Sequence, residues 1–204
     1  MSLTLYTHPM SRGRVARWML EETGQPYEAV VLDFDGAMKS PDYLSLNPMG
    51  KVPTLVHDGR VVTENAAICC YLAETFPGTG LAPRPDERAD YYRWMFFAAA
   101  PLEQATTSRA MGWEVPADRE RMLGFGNYDR TIDALDGWLQ AHPFICGDRF
   151  TAADVYVGAG VLYGTGFGTI PKRPALMDYA ARLTARPAHQ AASAKDDALA
   201  GASA

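Results

Sequence analysis

Two short β-branched runs, Thr54 to His57 and Arg60 to Val62, are joined by Asp58-Gly59. That dipeptide suits the tight turn in which both central residues take positive φ, so the pair reads as a β-hairpin. Val52-Pro53 stands immediately in front. Proline has no N–H to give to a ladder, so Pro53 opens a strand or shapes the turn into it. After the hairpin, Thr63-Glu64-Asn65 places polar side chains at the start of a helical run. Ile68, Tyr71, Leu72, Thr75 and Phe76 then recur at spacings of three and four until Pro77-Gly78 stops the pattern. A helix start with polar side chains and free backbone N–H groups suits an anion, a carboxylate above all.

Upstream, Leu3, Leu5 and Thr7 alternate with Thr4 and Tyr6 and predict a strand. A helix follows from about Ser11 to Thr23, striped by Val15, Trp18 and Met19 and closed by Gly24. Tyr27 to Leu32 reads as a second strand, and a strand–helix–strand unit of this length makes a parallel pair. Residues 33–47 are poorly periodic. The first 77 residues therefore form a mixed sheet with helices on both faces.

Pro77 to Asp86 breaks all periodicity and marks a linker. Everything beyond it reads as helix. Glu87 to about Ala110 carries Tyr92, Met95, Phe96 and Ala99 on one face, with a kink at Pro101. A second long helix is expected from Ala117 to Gln140, striped by Met122, Phe125, Tyr128, Ile132, Leu135 and Leu139 and weakened by Gly124 and Gly126. Thr151 and Asp154, preceded by Phe150, have the spacing of a capping box with a hydrophobic staple. Pro174 starts another helix, Pro187 ends it, and residues 197–204 are expected to fray. The fold class is thus α/β followed by all-α, with domains at 1–77 and 86–204.

A net charge of −5 argues against a nucleic-acid binder, which needs a basic face. The start lacks a charged region followed by an apolar one, and Val155 to Ile170 is too short and too glycine-rich to span a membrane. The three cysteines have no CxxC spacing, which suits a reducing compartment, so the expected location is the cytoplasm. The four histidines are scattered, and no metal site is expected.

The string from Asn47 to Pro77 resembles the second half of the thioredoxin-like domain of the glutathione transferases. The likeness extends across residues 1–76 and, less closely, 86–190. It implies an N-terminal thioredoxin-like domain and an all-helical domain lining the site of an electrophile. It also implies that Pro53 is cis, with the Val52 backbone pairing the cysteinyl part of glutathione, and that Glu64 and Asn65 hold the γ-glutamyl end. Where Asn65 stands, the family usually has serine or threonine. Lys39 and Lys51 are candidates for the glycyl carboxylate, or simply solvated surface charges. Relatives are homodimers, so the expected partners are glutathione, a small electrophile and a second copy of the chain.

Within that resemblance Ser11 is the candidate catalytic residue, because serine-type transferases carry a thiol-activating hydroxyl between the first strand and first helix. Serine is also a common helix cap, and the two roles are compatible. A free thiol has a pKa near 8.5, and lowering it by about two units takes roughly 2.7 kcal/mol. A helix N-terminus supplies about 0.3–1 kcal/mol, and a hydrogen bond to the charged sulfur about 1.5–3 kcal/mol. The hydroxyl is the larger part, and it acts by donating a hydrogen bond. Arg12 adds positive charge beside it, whereas Arg17 reads as pairing with Glu21 on the helix surface. No cysteine precedes Cys69, Tyr6 reads as a packed strand aromatic, and His8 either orients the tripeptide or only fills the turn.

The expected activity is transfer of the glutathione thiolate to small electrophiles. Two alternatives keep the same fold. One is a non-catalytic glutathione-binding or protein-interaction module, and the other a glutathione-dependent isomerase or dehalogenase.

Overall fold

A computed structural model describes residues 2–202. Its contacts divide the chain into two units, Met1–Thr79 with Ala185–Ala204, and Gly80–Thr184.

In the first unit, β1 (Leu3–Thr7) leads into α1 (Gly13–Thr23) and β2 (Glu28–Val31). A short 3₁₀ turn and α2 (Pro41–Leu46) precede the hairpin of β3 (Thr54–His57) and β4 (Arg60–Thr63), and α3 (Asn65–Thr75) follows. The strand order is β2-β1-β3-β4. β1 runs parallel to β2, with Leu5 beside Ala29, and antiparallel to β3, with Leu5 opposite Leu55. This is the thioredoxin-like arrangement expected from the sequence. Asp58 and Gly59 both take positive φ, 46° and 80°, the geometry for which that dipeptide is suited.

In the second unit, α4 (Arg88–Phe97) continues through a π-helical stretch, Ala98–Leu102, into α5 (Glu103–Ala110). Pro101 lies within that stretch: its missing N–H breaks the regular ladder, and the helix widens there. On α4 only part of the expected stripe is core, with Met95 buried while Tyr92 and Phe96 are exposed. The helix expected from Ala117 to Gln140 is shorter. Ala117–Met122 is a 3₁₀ turn, Gly126 takes positive φ, and α6 (Tyr128–Ala141) starts afresh behind Asn127, whose side chain accepts from Arg130 N–H. Met122 is accordingly exposed, while Phe125, Ile132, Leu135 and Leu139 are buried. α7 (Ala152–Phe167) and α8 (Pro174–Thr184) complete this unit.

The capping box of α7 is complete. Asp154 Oδ2 accepts from Thr151 N–H at 2.8 Å, and Oδ1 accepts from Ile145 N–H at 2.8 Å and from Tyr179 OH at 3.0 Å. Burial raises the carboxyl pKa to about 6 against the lowering pull of these donors.

The C-terminal segment departs from expectation. Pro187 begins α9 (Pro187–Ala202) rather than merely ending α8, and α9 packs on α1 within the first unit. Arg17 does not pair with Glu21 on the surface but donates to Asp196 at 2.8 Å, both side chains being buried. Arg186 forks onto Glu22 at 2.7 Å through two nitrogens, and Lys195 reaches Glu21 at 2.6 Å. The helix was hidden from a local reading because its partners lie some 180 residues away.

Candidate functional site

Strand register gathers the predicted site residues at one end of the sheet. Thr54 lies opposite Tyr6 on one side and Thr63 on the other. One step further along each chain stand Thr7 and the turn after β1, Pro53, and Glu64.

The turn between β1 and α1 is built around Ser11. Its backbone N–H donates to His8 O at 3.1 Å and its hydroxyl donates to the same oxygen at 2.7 Å. Gly13 N–H donates to Ser11 Oγ at 2.9 Å. α1 opens at Gly13, so Ser11 satisfies a first-turn amide from outside the helix, as a serine turn does. Glycine is required at 13: a Cβ there would lie 2.0 Å from Thr7 Oγ1 and 3.0 Å from Ser11 Oγ. Thr7 Oγ1 is itself buried without a hydrogen-bond partner.

Ser11 is half-buried. Its oxygen is fixed by an amide, and its proton rests on a carbonyl that a better acceptor can replace. A thiolate is such an acceptor.

The Val52–Pro53 peptide is cis. Pro53 is buried, and Val52 packs against the cluster of Leu32, Met38 and Tyr43. The loop is held from behind: Asn47 Nδ2 and Tyr43 OH donate to Lys51 O at 2.8 and 2.5 Å, and Asn47 Nδ2 also reaches Thr54 Oγ1 at 3.2 Å. Lys39 Nζ donates to Gly50 O at 2.6 Å, which makes it a loop anchor in this state, whereas the Lys51 side chain is exposed. Tyr43 and Asn47 as a clamp on this loop were not singled out from sequence. Both are separated from their targets by only a few residues, but their aim depends on how α2 lies.

Glu64 is exposed at the head of α3 with φ 68° and ψ 120°, a backbone state uncommon outside glycine. Asn65, the first residue of α3, donates from Nδ2 to Arg12 O at 3.1 Å. Its Oδ1 is buried and unpartnered. The structure thus joins Asn65 directly to the turn that carries Ser11.

The competing side chains have structural places. Tyr6 packs on Tyr43 with ring centres 5.6 Å apart. His8 packs against Phe34 with ring centres 4.1 Å apart and planes tilted by 43°, and accepts from Met10 N–H through Nδ1. Among the described residues no cluster of potential ligands is grouped to hold a metal ion, and no helix is long and apolar enough to cross a membrane. In the helical unit a cavity of about 550 Å³ is walled by Ser108, Arg109, Trp113, Phe125, Asn127 and Tyr128. The Arg109 guanidinium lies over the Tyr128 ring at 4.4 Å.

A thioredoxin-like unit with an anion-ready helix start, coupled in one chain to a helical unit, defines a class that comparison with known proteins identifies. The family model for the glutathione S-transferase N-terminal domain matches residues 1–74, and that for the C-terminal domain matches residues 105–187. Glutathione S-transferase GST-4.5 of Xanthomonas campestris is 36% identical over 163 residues, covering 76% of this chain and 79% of its own. A glutathione transferase of Methylococcus capsulatus superposes with a TM-score of 0.78 at 31% identity, covering 96% of this chain and 98% of that one. A sphingomonad glutathione S-transferase complexed with glutathione gives a TM-score of 0.77 at 29% identity, with coverages of 95% and 98%. The chain belongs to the glutathione S-transferase family.

Proposed function

We propose that this chain is a serine-type glutathione transferase in which Ser11 holds the tripeptide sulfur as a thiolate. The observation that carries the reading is the Ser11 hydroxyl: oxygen pinned by Gly13 N–H, proton on the exchangeable His8 carbonyl, beside the N-terminus of α1. On binding, the thiol loses its proton to solvent and the Ser11 O–H turns from His8 O to the sulfur. The thiolate then attacks an electrophilic carbon, forming the C–S bond as the leaving group departs with its electron pair. Ser11 keeps its proton throughout.

The remaining roles follow the same reading. The Val52 backbone beside Pro53 pairs the cysteinyl peptide, and Glu64 with the free amides at the head of α3 receives the γ-glutamyl end. Lys51 serves the glycyl carboxylate, with Lys39 bracing the loop at Gly50 behind it. The family resemblance and the exposed Tyr92 and Phe96 on α4 support a homodimer, the resemblance supports a detoxifying role, and the cysteine pattern supports a cytoplasmic setting.

The test is retention on immobilised glutathione together with turnover of a chlorodinitrobenzene by wild type and Ser11→Ala. The expected result is retention by both and a large loss of turnover in the variant. Equal turnover in the two rejects Ser11. Retention without turnover in the wild type favours a binding module, the reading supported by a hydroxyl proton that already has an internal acceptor.

A further inference from the structure

The family likeness gives Asn65 to the γ-glutamyl end of the tripeptide, yet its amide nitrogen is engaged elsewhere, on Arg12 O at 3.1 Å. A carbonyl only accepts, so the nitrogen is the end of the side chain that faces it. The Arg12 carbonyl belongs to the same planar peptide unit as the Gly13 N–H. That N–H donates to Ser11 Oγ at 2.9 Å, and the Ser11 hydroxyl donates onward, to His8 O at 2.7 Å. Asn65, one peptide plane and Ser11 therefore stand in series, each donating to the next.

Hydrogen bonds in series polarise one another. Accepting at the oxygen of a peptide strengthens its N–H as a donor, and a hydroxyl whose oxygen accepts a stronger bond becomes a stronger donor itself. We infer that Asn65 is a positioning residue for Ser11: joining Val15 N–H on the Arg12 oxygen, it further polarises the Arg12–Gly13 peptide, and so strengthens the hydroxyl's hold on the thiolate. The inference rests on the proposed role of Ser11. The peptide has little room to shift towards β1, since even a methyl group on Gly13 would collide with Thr7 Oγ1. Serine or threonine at position 65 has a shorter polar arm, which does not span the same gap. The asparagine is then a change of task rather than a weakened copy of the usual residue.

The experiment follows the apparent pKa of the enzyme-bound glutathione thiol through its thiolate ultraviolet absorbance. Glutathione Kd, kcat and KM are measured alongside, for wild type, Ser11→Ala, Asn65→Ala, Asn65→Ser and the Ser11→Ala/Asn65→Ala double variant. Asn65→Ser keeps a residue suited to a helix start and to a carboxylate, so it separates the two tasks, and circular dichroism checks each fold. Both Asn65 variants are expected to raise the thiol pKa by about half a unit to one unit and to lower kcat at neutral pH about 3–10-fold, with Kd changed less than about twofold. In the Ser11→Ala background, Asn65→Ala is expected to add nothing. A Kd weakened about tenfold by Asn65→Ala and restored by Asn65→Ser, with the thiol pKa unmoved, overturns the inference and returns Asn65 to the tripeptide carboxylate. Equal effects of Asn65→Ala with and without Ser11 overturn it too, because the influence then bypasses the hydroxyl. If Ser11→Ala leaves the thiol pKa unmoved, the Ser11 reading itself falls. If Ser11→Ala shifts it and Asn65→Ala does not, only the present inference falls.

Discussion

The starts of α1 and α7 both use a hydroxyl residue, and they are finished differently. At α7 every polar atom of the box is answered: Thr151 N–H, Ile145 N–H and Tyr179 OH converge on a fully buried Asp154. At α1 the hydroxyl of Ser11 lies outside the helix and half-buried, meets one amide, and parks its proton on a neighbouring carbonyl. A cap that closes all its bonds inside the protein stabilises the fold and has nothing left for a ligand. A cap left open at the surface adds less to stability but keeps a donor and a helix terminus for an anion.

The contrast can be broken by substitution. Asp154→Ala orphans several buried donors at once and should cost about 3–5 kcal/mol, read as a shift in the denaturant midpoint. A loss below about 1 kcal/mol would show that the closed cap is not a stability element. The pH dependence sharpens the same point. The folded pKa of Asp154 is raised to about 6, so in the window between the unfolded carboxylate value and that figure the folded state binds the extra proton. Wild-type stability should therefore fall as pH rises through that window relative to Asp154→Asn, which cannot titrate. Parallel midpoint-versus-pH curves for the two proteins contradict this.

Next in size is Ser11→Ala, which should reduce turnover by about 10–100-fold, the rate equivalent of one hydrogen bond to a charged group. Its denaturation midpoint should move by less than about 1 kcal/mol. A large stability loss with little rate loss would make the α1 start a structural cap like that of α7. A simpler cap gives the scale between them: Asn127→Ala removes the cap to Arg130 N–H and the bond from Asn127 Nδ2 to Glu120 Oε2 at 3.1 Å, and should cost about 1 kcal/mol in thermal or denaturant unfolding.

Both helix starts were legible in sequence because caps are local. Thr151 and Asp154 sit three apart, and Ser11 lies only four residues beyond the end of β1. Asp58-Gly59 was legible for the same reason, since two adjacent residues carry the turn. What escaped was long in range or set by competition. The link from Asn65 to Arg12 joins residues 53 apart, and nothing about asparagine at a helix start says which carbonyl it will meet. The hydrophobic stripe through Met122 suggested one continuous helix, but the glycines at 124 and 126 sit between the 3₁₀ turn and α6, and Met122 stays outside the core. Arg17 had a plausible neighbour one turn away in Glu21, and a buried acid near the far end of the chain took its place.

That last contact sets an order of events during synthesis. The sheet and α1 leave the ribosome early, carrying on α1 an arginine whose buried partner is not yet made. Only when residues 187–202 emerge can the guanidinium be neutralised and the flank of α1 be covered. The first unit is therefore complete only once residues 187–202 have joined it, and a fragment ending at residue 79 would lack the helix that finishes it.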